Sequence, residues 1–219
     1  MRIRRIGKRI AALLFCLLLE LWGPCFLLPS YAELSWPSAD LTAVSAALMD
    51  ADTGAMLFEK NGEQRMYPAS ITKVMTALVV LKHANLEDQV SFSHDAVYNV
   101  DYGSSNAQID EGDVLTVSDC LHALLLKSAN EAANALAEHV AGSNEAFAEL
   151  MNQKARELGL SSGAHFSNAT GLYDPNHHMT VKDTAEILNA AMKNPTARTV
   201  LESFEYSIPA TNKHAAGIR

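Results

Sequence analysis

Leu124-Leu125-Leu126-Lys127-Ser128-Ala129-Asn130-Glu131-Ala132-Ala133 is the stretch on which the fold turns. Both flanks favour helix, but the side chains of Ser128 and Asn130 compete for backbone hydrogen bonds, so the chain is expected to break there and start a new helix. Upstream, Thr116-Val117-Ser118-Asp119 has capping-box spacing ahead of the apolar run Cys120–Leu126. Downstream, the Ala-rich segment Glu131–Val140 ends at Gly142. Ser143-Asn144 then opens an amphipathic helix with Phe147, Leu150, Met151, Ala155 and Leu158 on one face and Gly159 as its stop. Thr180 with Asp183 is a second capping box, before Ile187, Leu188 and Met192, and Asn194-Pro195 starts another helix.

Towards the N-terminus the period changes. Val44–Asp50 and Ala55–Glu59, joined by Asp52-Thr53-Gly54, predict a β-hairpin, with a second turn at Asn61-Gly62. From Ser70 to about His83, entered through Pro68, Ile71, Val74, Met75 and Leu78 recur at helical steps. Asp88–Asp113 is polar and irregular, with a short strand at Gln89–Phe92 and a loop at Gly103-Ser104-Ser105, and Phe204–Ile208 alternates like a returning strand. Strands, a long helical middle and a late strand together predict an α+β domain with a helical subdomain at about 84–185.

The first 32 residues read as an export signal. Arg2, Arg4, Arg5, Lys8 and Arg9 precede the apolar run Ile10–Leu28, and Ser30-Tyr31-Ala32 offers a small-x-small cleavage site. The rival reading is an uncleaved membrane anchor, which Glu20, Gly23 and Pro24 weaken. The whole chain has 17 Lys+Arg and 25 Asp+Glu; removing five basic residues and Glu20 leaves 12 and 24, a net charge of about −12 for residues 33–219. That balance argues against a nucleic-acid partner, which needs a basic surface. Cys16 and Cys25 lie in the export segment, so Cys120 is the one thiol beyond it; Val117, Leu121 and Leu124 around it predict a helical core face.

Ser70-Ile71-Thr72-Lys73 places a hydroxyl and an amine three residues apart at a helix start, on one face. A serine alcohol becomes a competent nucleophile when something accepts its proton, and a lysine can do so if burial or nearby positive charge lowers its pKa toward neutrality. The helix N-terminus adds a dipole and free amides suited to an oxyanion. Taken alone the pattern is weak evidence and reads more readily as a helix cap beside a solvated lysine. Ser128 and Asn130 shift the balance toward function, Ser128 as a proton relay beside the lysine and Asn130 as an amide that holds a substrate carbonyl.

Pro68–Ala77, Leu124–Ala133 and Asn168-Ala169-Thr170-Gly171-Leu172 closely resemble the D-alanyl-D-alanine carboxypeptidases, the low-molecular-mass penicillin-binding proteins, over about residues 41–212. The resemblance implies a β-lactamase/transpeptidase-like fold, an antiparallel sheet flanked by helices. It implies Ser70 as acyl-ester nucleophile, Lys73 as proton acceptor, and Ser128 with Asn130 as the second motif. The implied substrates are peptidoglycan stem peptides ending in D-Ala-D-Ala, and the implied covalent inhibitors are β-lactams. Neither a cofactor nor a metal is implied.

One departure stands out. The family's third motif, Lys-Thr-Gly, does not occur in the 219 residues, and Lys213-His214-Ala215 is no substitute. The expectation is an incomplete chain lacking that strand, the rest of the sheet and any tail that associates with the membrane surface, with a sheet edge left exposed. A β-lactamase reading needs a carboxylate for deacylation; Glu149 before Leu150-Met151-Asn152 is one residue too short for the usual spacing. A third reading is a degraded homologue that binds stem peptides without cleaving them. His165, His177 and His178 lack the spacing of a zinc set and read as loop residues. Met49, Met56, Met75, Met151 and Met192 read as core packing.

Overall fold

The hairpin turn is built by a side chain. Asp50 accepts hydrogen bonds from the Thr53 amide at 2.7 Å and its hydroxyl at 2.6 Å, and Gly54 sits at φ +74. The flanking residues then pair as strands β1 (Ala46–Met49) and β2 (Met56–Lys60), antiparallel, with a bulge at Leu48/Met49. The structure, a computed structural model, describes residues 41–161 and 163–218, all within the unit Asp40–Arg219. The proposed export signal and the cysteines Cys16 and Cys25 lie outside the described residues.

After β2 a 3-10 turn at Ala69–Ile71 leads into helix α1 (Thr72–His83). Met75, Ala77, Leu78, Val79 and Val80 are all buried, on several sides of this helix. A helix apolar all round belongs in the interior, and α1 is packed against five others: α3 (Val117–Leu126), α4 (Asn130–Ala141), α5 (Asn144–Glu157), α6 (Val181–Lys193) and α7 (Pro195–Leu201). Ile71, expected on the core face, instead lies 49% exposed, because the 3-10 turn rotates it out of register with α1. Between α1 and α3 come the short strands β3 (Gln89–Ser91) and β4 (Val114–Thr116), paired antiparallel, and the one-turn helix α2 (His94–Tyr98).

Helix α4 is the second axis of the core. Ala132, Ala133, Ala135, Leu136 and Ala137 are fully buried, and their small side chains let α4 meet α1, α2, α3 and α5 closely. The expected caps all form. Thr116 with Asp119 and Thr180 with Asp183 are reciprocal capping boxes, Ser143 caps α5, Asn194 caps α7, and Gly142 closes α4 at φ +81. Asp183 also accepts from the Ser161 amide and hydroxyl, both at 2.8 Å, so this cap fastens the preceding loop to α6.

The described residues thus form an α+β arrangement whose strands make two separate two-stranded antiparallel ladders. The returning strand expected at Phe204–Ile208 is not formed. Ile208 makes a single bridge with Ile218, and Phe204 is fully exposed, so the alternation has no ladder to pair with among the described residues. Cys120 is buried in the core and burial pushes its thiol far up, which makes it inert. Met75 and Met151 are buried and Met49, Met56 and Met192 half-buried.

Replacing Thr180 by Ala removes the hydroxyl that accepts from the Asp183 amide and donates to its carboxylate. Urea denaturation is expected to give a loss of about 1–2 kcal/mol; an unchanged midpoint would mean that the loop fastening does not depend on the cap.

Candidate active site

Ser70 stands in the 3-10 turn ahead of α1, exposed to solvent, after Ala69 at φ +50. A non-glycine residue in the left-handed region is uncommon and is held only where its surroundings determine it. One turn later Lys73 enters the interior, 2% exposed. Its Nζ donates to Asn130 Oδ1 at 2.7 Å and to the Thr170 carbonyl at 2.7 Å, and lies 3.5 Å from Ser70 Oγ.

This geometry assigns the amine its directions. A neutral amine has two N–H donors and one lone pair. With both donors committed to the short bonds, the lone pair is left facing the serine oxygen. Burial lowers the Lys73 pKa from 10.5 to about 8, against an opposing influence from the Glu131 carboxylate. At pH 7 roughly one lysine in ten is then a free amine, against fewer than about one in a thousand at the ordinary value.

Asn130 is the first residue of α4, immediately after the break, and its backbone N–H donates to the Ser105 carbonyl at 3.0 Å. Its side-chain oxygen is taken by Lys73; the Nδ2 makes no hydrogen bond among the described residues and can donate to a carbonyl. Ser128 lies in the same break at φ +56, with the Ala129 amide turned back onto the Ala123 carbonyl at 3.1 Å. The Ser128 hydroxyl is buried and makes no hydrogen bond among the described residues. The structure therefore brings Ser70, Lys73 and Asn130 together, while Ser128, two residues from Asn130, is not bonded to the lysine. A buried hydroxyl without a partner costs about 1–3 kcal/mol.

The third wall is the loop 168–172. Asn168 Oδ1 accepts from Thr170 N, Thr170 Oγ1 and Gly171 N at 3.2, 2.9 and 2.7 Å, folding the loop around itself. Thr76 of α1 donates to the Ala169 carbonyl at 2.7 Å and pins the loop to the helix. Gly171 is at φ +80, and a Cβ there would stand 1.9 Å from the Ala69 carbonyl oxygen, so the loop backbone presses directly on the residue before Ser70.

His177 braces the same wall. Its Nδ1 accepts from the Ser167 amide at 3.2 Å, so Nε2 carries the proton and donates to Thr72 Oγ1 at 2.9 Å. Burial holds its pKa down at about 4, and the ring is neutral at pH 7. His165 and His178 pair through their backbones. Thr170, Gly171 and His177 were not assigned site roles from sequence. The Gly171 signal was present as a glycine after an Asn-Ala-Thr turn, but its contact is with a residue far away in the chain.

A model of the family described as D-alanyl-D-alanine carboxypeptidase matches residues 32–214. The chain is 36% identical over 168 residues to the D-alanyl-D-alanine carboxypeptidase DacF of Bacillus subtilis, covering 74% of this chain and 42% of that protein. It is 38% identical over 162 residues to DacC of Escherichia coli, covering 70% and 40%. Among solved structures, a mutant of the Streptomyces K15 DD-transpeptidase superposes with a TM-score of 0.76 at 32% identity, over 83% of this chain and 72% of that one. The D-alanyl-D-alanine carboxypeptidase DacD of Francisella tularensis gives 0.74 at 28%, over 84% and 44%. The chain thus spans about two fifths of the length of these two curated relatives.

Gly171→Ala is expected to destabilise the fold by at least about 2 kcal/mol through the left-handed backbone alone, with a further loss from the collision with Ala69. Equilibrium denaturation measures this; a wild-type midpoint would show that the loop can withdraw from Ala69 freely.

Proposed function

Because the chain belongs to the D-alanyl-D-alanine carboxypeptidase family, we propose that it is a serine-type peptidase that removes the terminal D-alanine from peptidoglycan stem peptides through an acyl-enzyme on Ser70. The observation that carries this reading is the Lys73 amine, buried, held by two 2.7 Å bonds and left facing the Ser70 oxygen.

Ser70 Oγ attacks the carbonyl carbon of the penultimate D-alanine, and its proton passes to Lys73 Nζ. The tetrahedral intermediate breaks its C–N bond. The leaving D-alanine takes a proton from Lys73 through the Ser128 hydroxyl, a role supported by that hydroxyl being buried without a partner. Asn130 Nδ2 donates to a carbonyl of the bound peptide. Water then adds to the Ser70 ester and frees the shortened peptide. A β-lactam meets the same nucleophile, its ring amide opening to leave a stable ester.

The substrate class puts the site of action outside the cytoplasmic membrane, in keeping with the export signal read in residues 1–32. Among the described residues no helix is long and apolar enough to cross a membrane. A membrane-surface association through a further tail remains part of this proposal.

The β-lactamase reading loses support, because Glu149 is exposed on α5 and makes no bond to the site. A second reading, favoured by the Ser128 hydroxyl making no bond to Lys73 among the described residues, is that this chain is acylated or binds stem peptides without efficient turnover. Release of D-alanine from a peptide ending in D-Ala-D-Ala separates the two: adduct with release supports the peptidase, adduct without release the binder.

Mass spectrometry after incubation with penicillin is expected to find an adduct that vanishes in Ser70→Ala. Since the reacting form is the free amine, the acylation rate should rise with pH to a midpoint near 8 and fall about tenfold per unit below it. Lys73→Arg is expected to slow acylation by about 10²–10⁴-fold. A rate independent of pH between 6 and 9, or an active Arg variant, would remove Lys73 from the proton transfer.

A further inference from the structure

Glu131 follows Asn130 in the first turn of α4 and is 2% exposed. A carboxylate is seldom buried to this degree without a cation or a full set of donors. Its Oε1 accepts from the Ala107 amide at 2.6 Å and from the Ile109 amide at 3.5 Å, while its Oε2 is buried with no hydrogen-bond partner among the described residues. Together with the Asn130 amide on Ser105, these bonds lash the loop 105–109 across the start of the helix that carries Asn130. The loop needs the lashing, because Gln108 within it is at φ +62.

We infer that Glu131 is a positioning residue of this site: its buried carboxylate, one residue from the Asn130 that holds Lys73 Nζ at 2.7 Å, keeps the loop 105–109 on the start of α4 and sets the charge state of Lys73. The inference rests on the reading that Lys73 accepts the Ser70 proton. Glu131 acts on the lysine from α4 and is the charged group that opposes the lowering of its pKa; the lysine's other contacts, Ser70, Asn130 and the Thr170 carbonyl, are neutral. The amides of Ala107 and Ile109 bond Glu131, the charge of Lys73 on α1 bears on it, and its own charge bears on Lys73 and on Cys120 of α3. His177 stands beyond Thr72 as a neutral ring.

The arrangement has a consequence for catalysis. Without an anion, burial would lower the lysine pKa further and leave a larger share of it neutral and less able to hold the proton it accepts. With the anion the ammonium formed on attack is stabilised where it arises. Burial raises the pKa of Glu131, and the Lys73 charge works against that rise, so each group favours the charged form of the other.

Glu131→Gln tests this in the whole chain. Glutamine keeps the acceptor at Oε1 and puts its NH₂ where Oε2 already lacks a partner, so shape is preserved and charge is lost. With lysine labelled at Cε, NMR titration follows Lys73, assigned by the signal missing in Lys73→Arg. The wild-type midpoint is expected near 8, and that of Glu131→Gln roughly one pH unit lower, a tenfold gain of free amine at neutral pH. The pH profile of penicillin acylation should move the same way. Glu131→Asp keeps the charge and is expected to hold the midpoint while hydrogen exchange at Ala107 and Ile109 quickens.

A midpoint unmoved in Glu131→Gln overturns the electrostatic role, even if the rate falls equally at all pH. Should that variant not fold, the labelled carboxyl carbon of Glu131 in the unaltered chain decides: a shift through the Lys73 midpoint supports the coupling, and a flat signal refutes it. A moved Lys73 midpoint in a chain that penicillin fails to label upholds the coupling while refuting the acyl-enzyme.

Discussion

One nitrogen atom organises the site. Lys73 Nζ is bonded to a side chain 57 residues away and to a carbonyl 97 residues away, and it faces a hydroxyl on its own helix turn. A buried amine requires acceptors on every side from which water is excluded, and three separate segments supply them. Burial works against the fold. The folded-state pKa of Lys73 lies below its ordinary value, so the native state holds fewer protons than the unfolded one between about 8 and 10.5, and stability rises with pH through that window. Below about 8 the full penalty applies, on the order of 3 kcal/mol.

That penalty is spread over a rigid surround. The backbone is bent into the left-handed region at Ala69 and at Ser128, one residue before the nucleophile and two before Asn130. Neither bend would persist in an isolated peptide. Each is held between packed helices: α1 in the middle of five others, and α4 with a surface of buried alanines that admits its neighbours closely. Gly171 closes the arrangement, since only a residue without Cβ lets the 168–172 loop rest on the Ala69 carbonyl and place Thr170 over the lysine. The strain is therefore local, and the packing that sustains it is global.

What could be read in the sequence was what is encoded within a few residues. The hairpin turn and both capping boxes rest on side chains that bond to neighbouring backbone, and the stop at Gly142 rests on the left-handed backbone that a glycine adopts freely. The break at 128–130 was legible too, but its side chains do not bond local backbone, Asn130 reaching Lys73 instead. Ser70, Lys73 and Asn130 were found because motifs and resemblance pointed to them. The Thr170 carbonyl was invisible, since a backbone oxygen carries no residue-type signal and its bond spans 97 residues. Glu131 looked like an ordinary acid in a helix's first turn, where the dipole favours one anyway, and its burial came from tertiary packing. Ile71 failed because a 3-10 turn displaced the helical period. Phe204–Ile208 failed because alternation predicts a strand only where a partner edge exists.

Lysine suits this position for a reason that follows from its donors. A histidine has one lone pair and one N–H when neutral, and could not hold both Asn130 Oδ1 and the Thr170 carbonyl while facing Ser70. The ammonium has three donors, and its three directions match the two carbonyl oxygens and the serine oxygen. Protonated, it donates to all three; deprotonated, it gives up only the contact to Ser70 and presents its lone pair there. The two firm bonds are unchanged between the states, so proton transfer requires no rotation of the side chain. The same bonds make the first step directional, because the proton of Ser70 can arrive only at the open face of the amine.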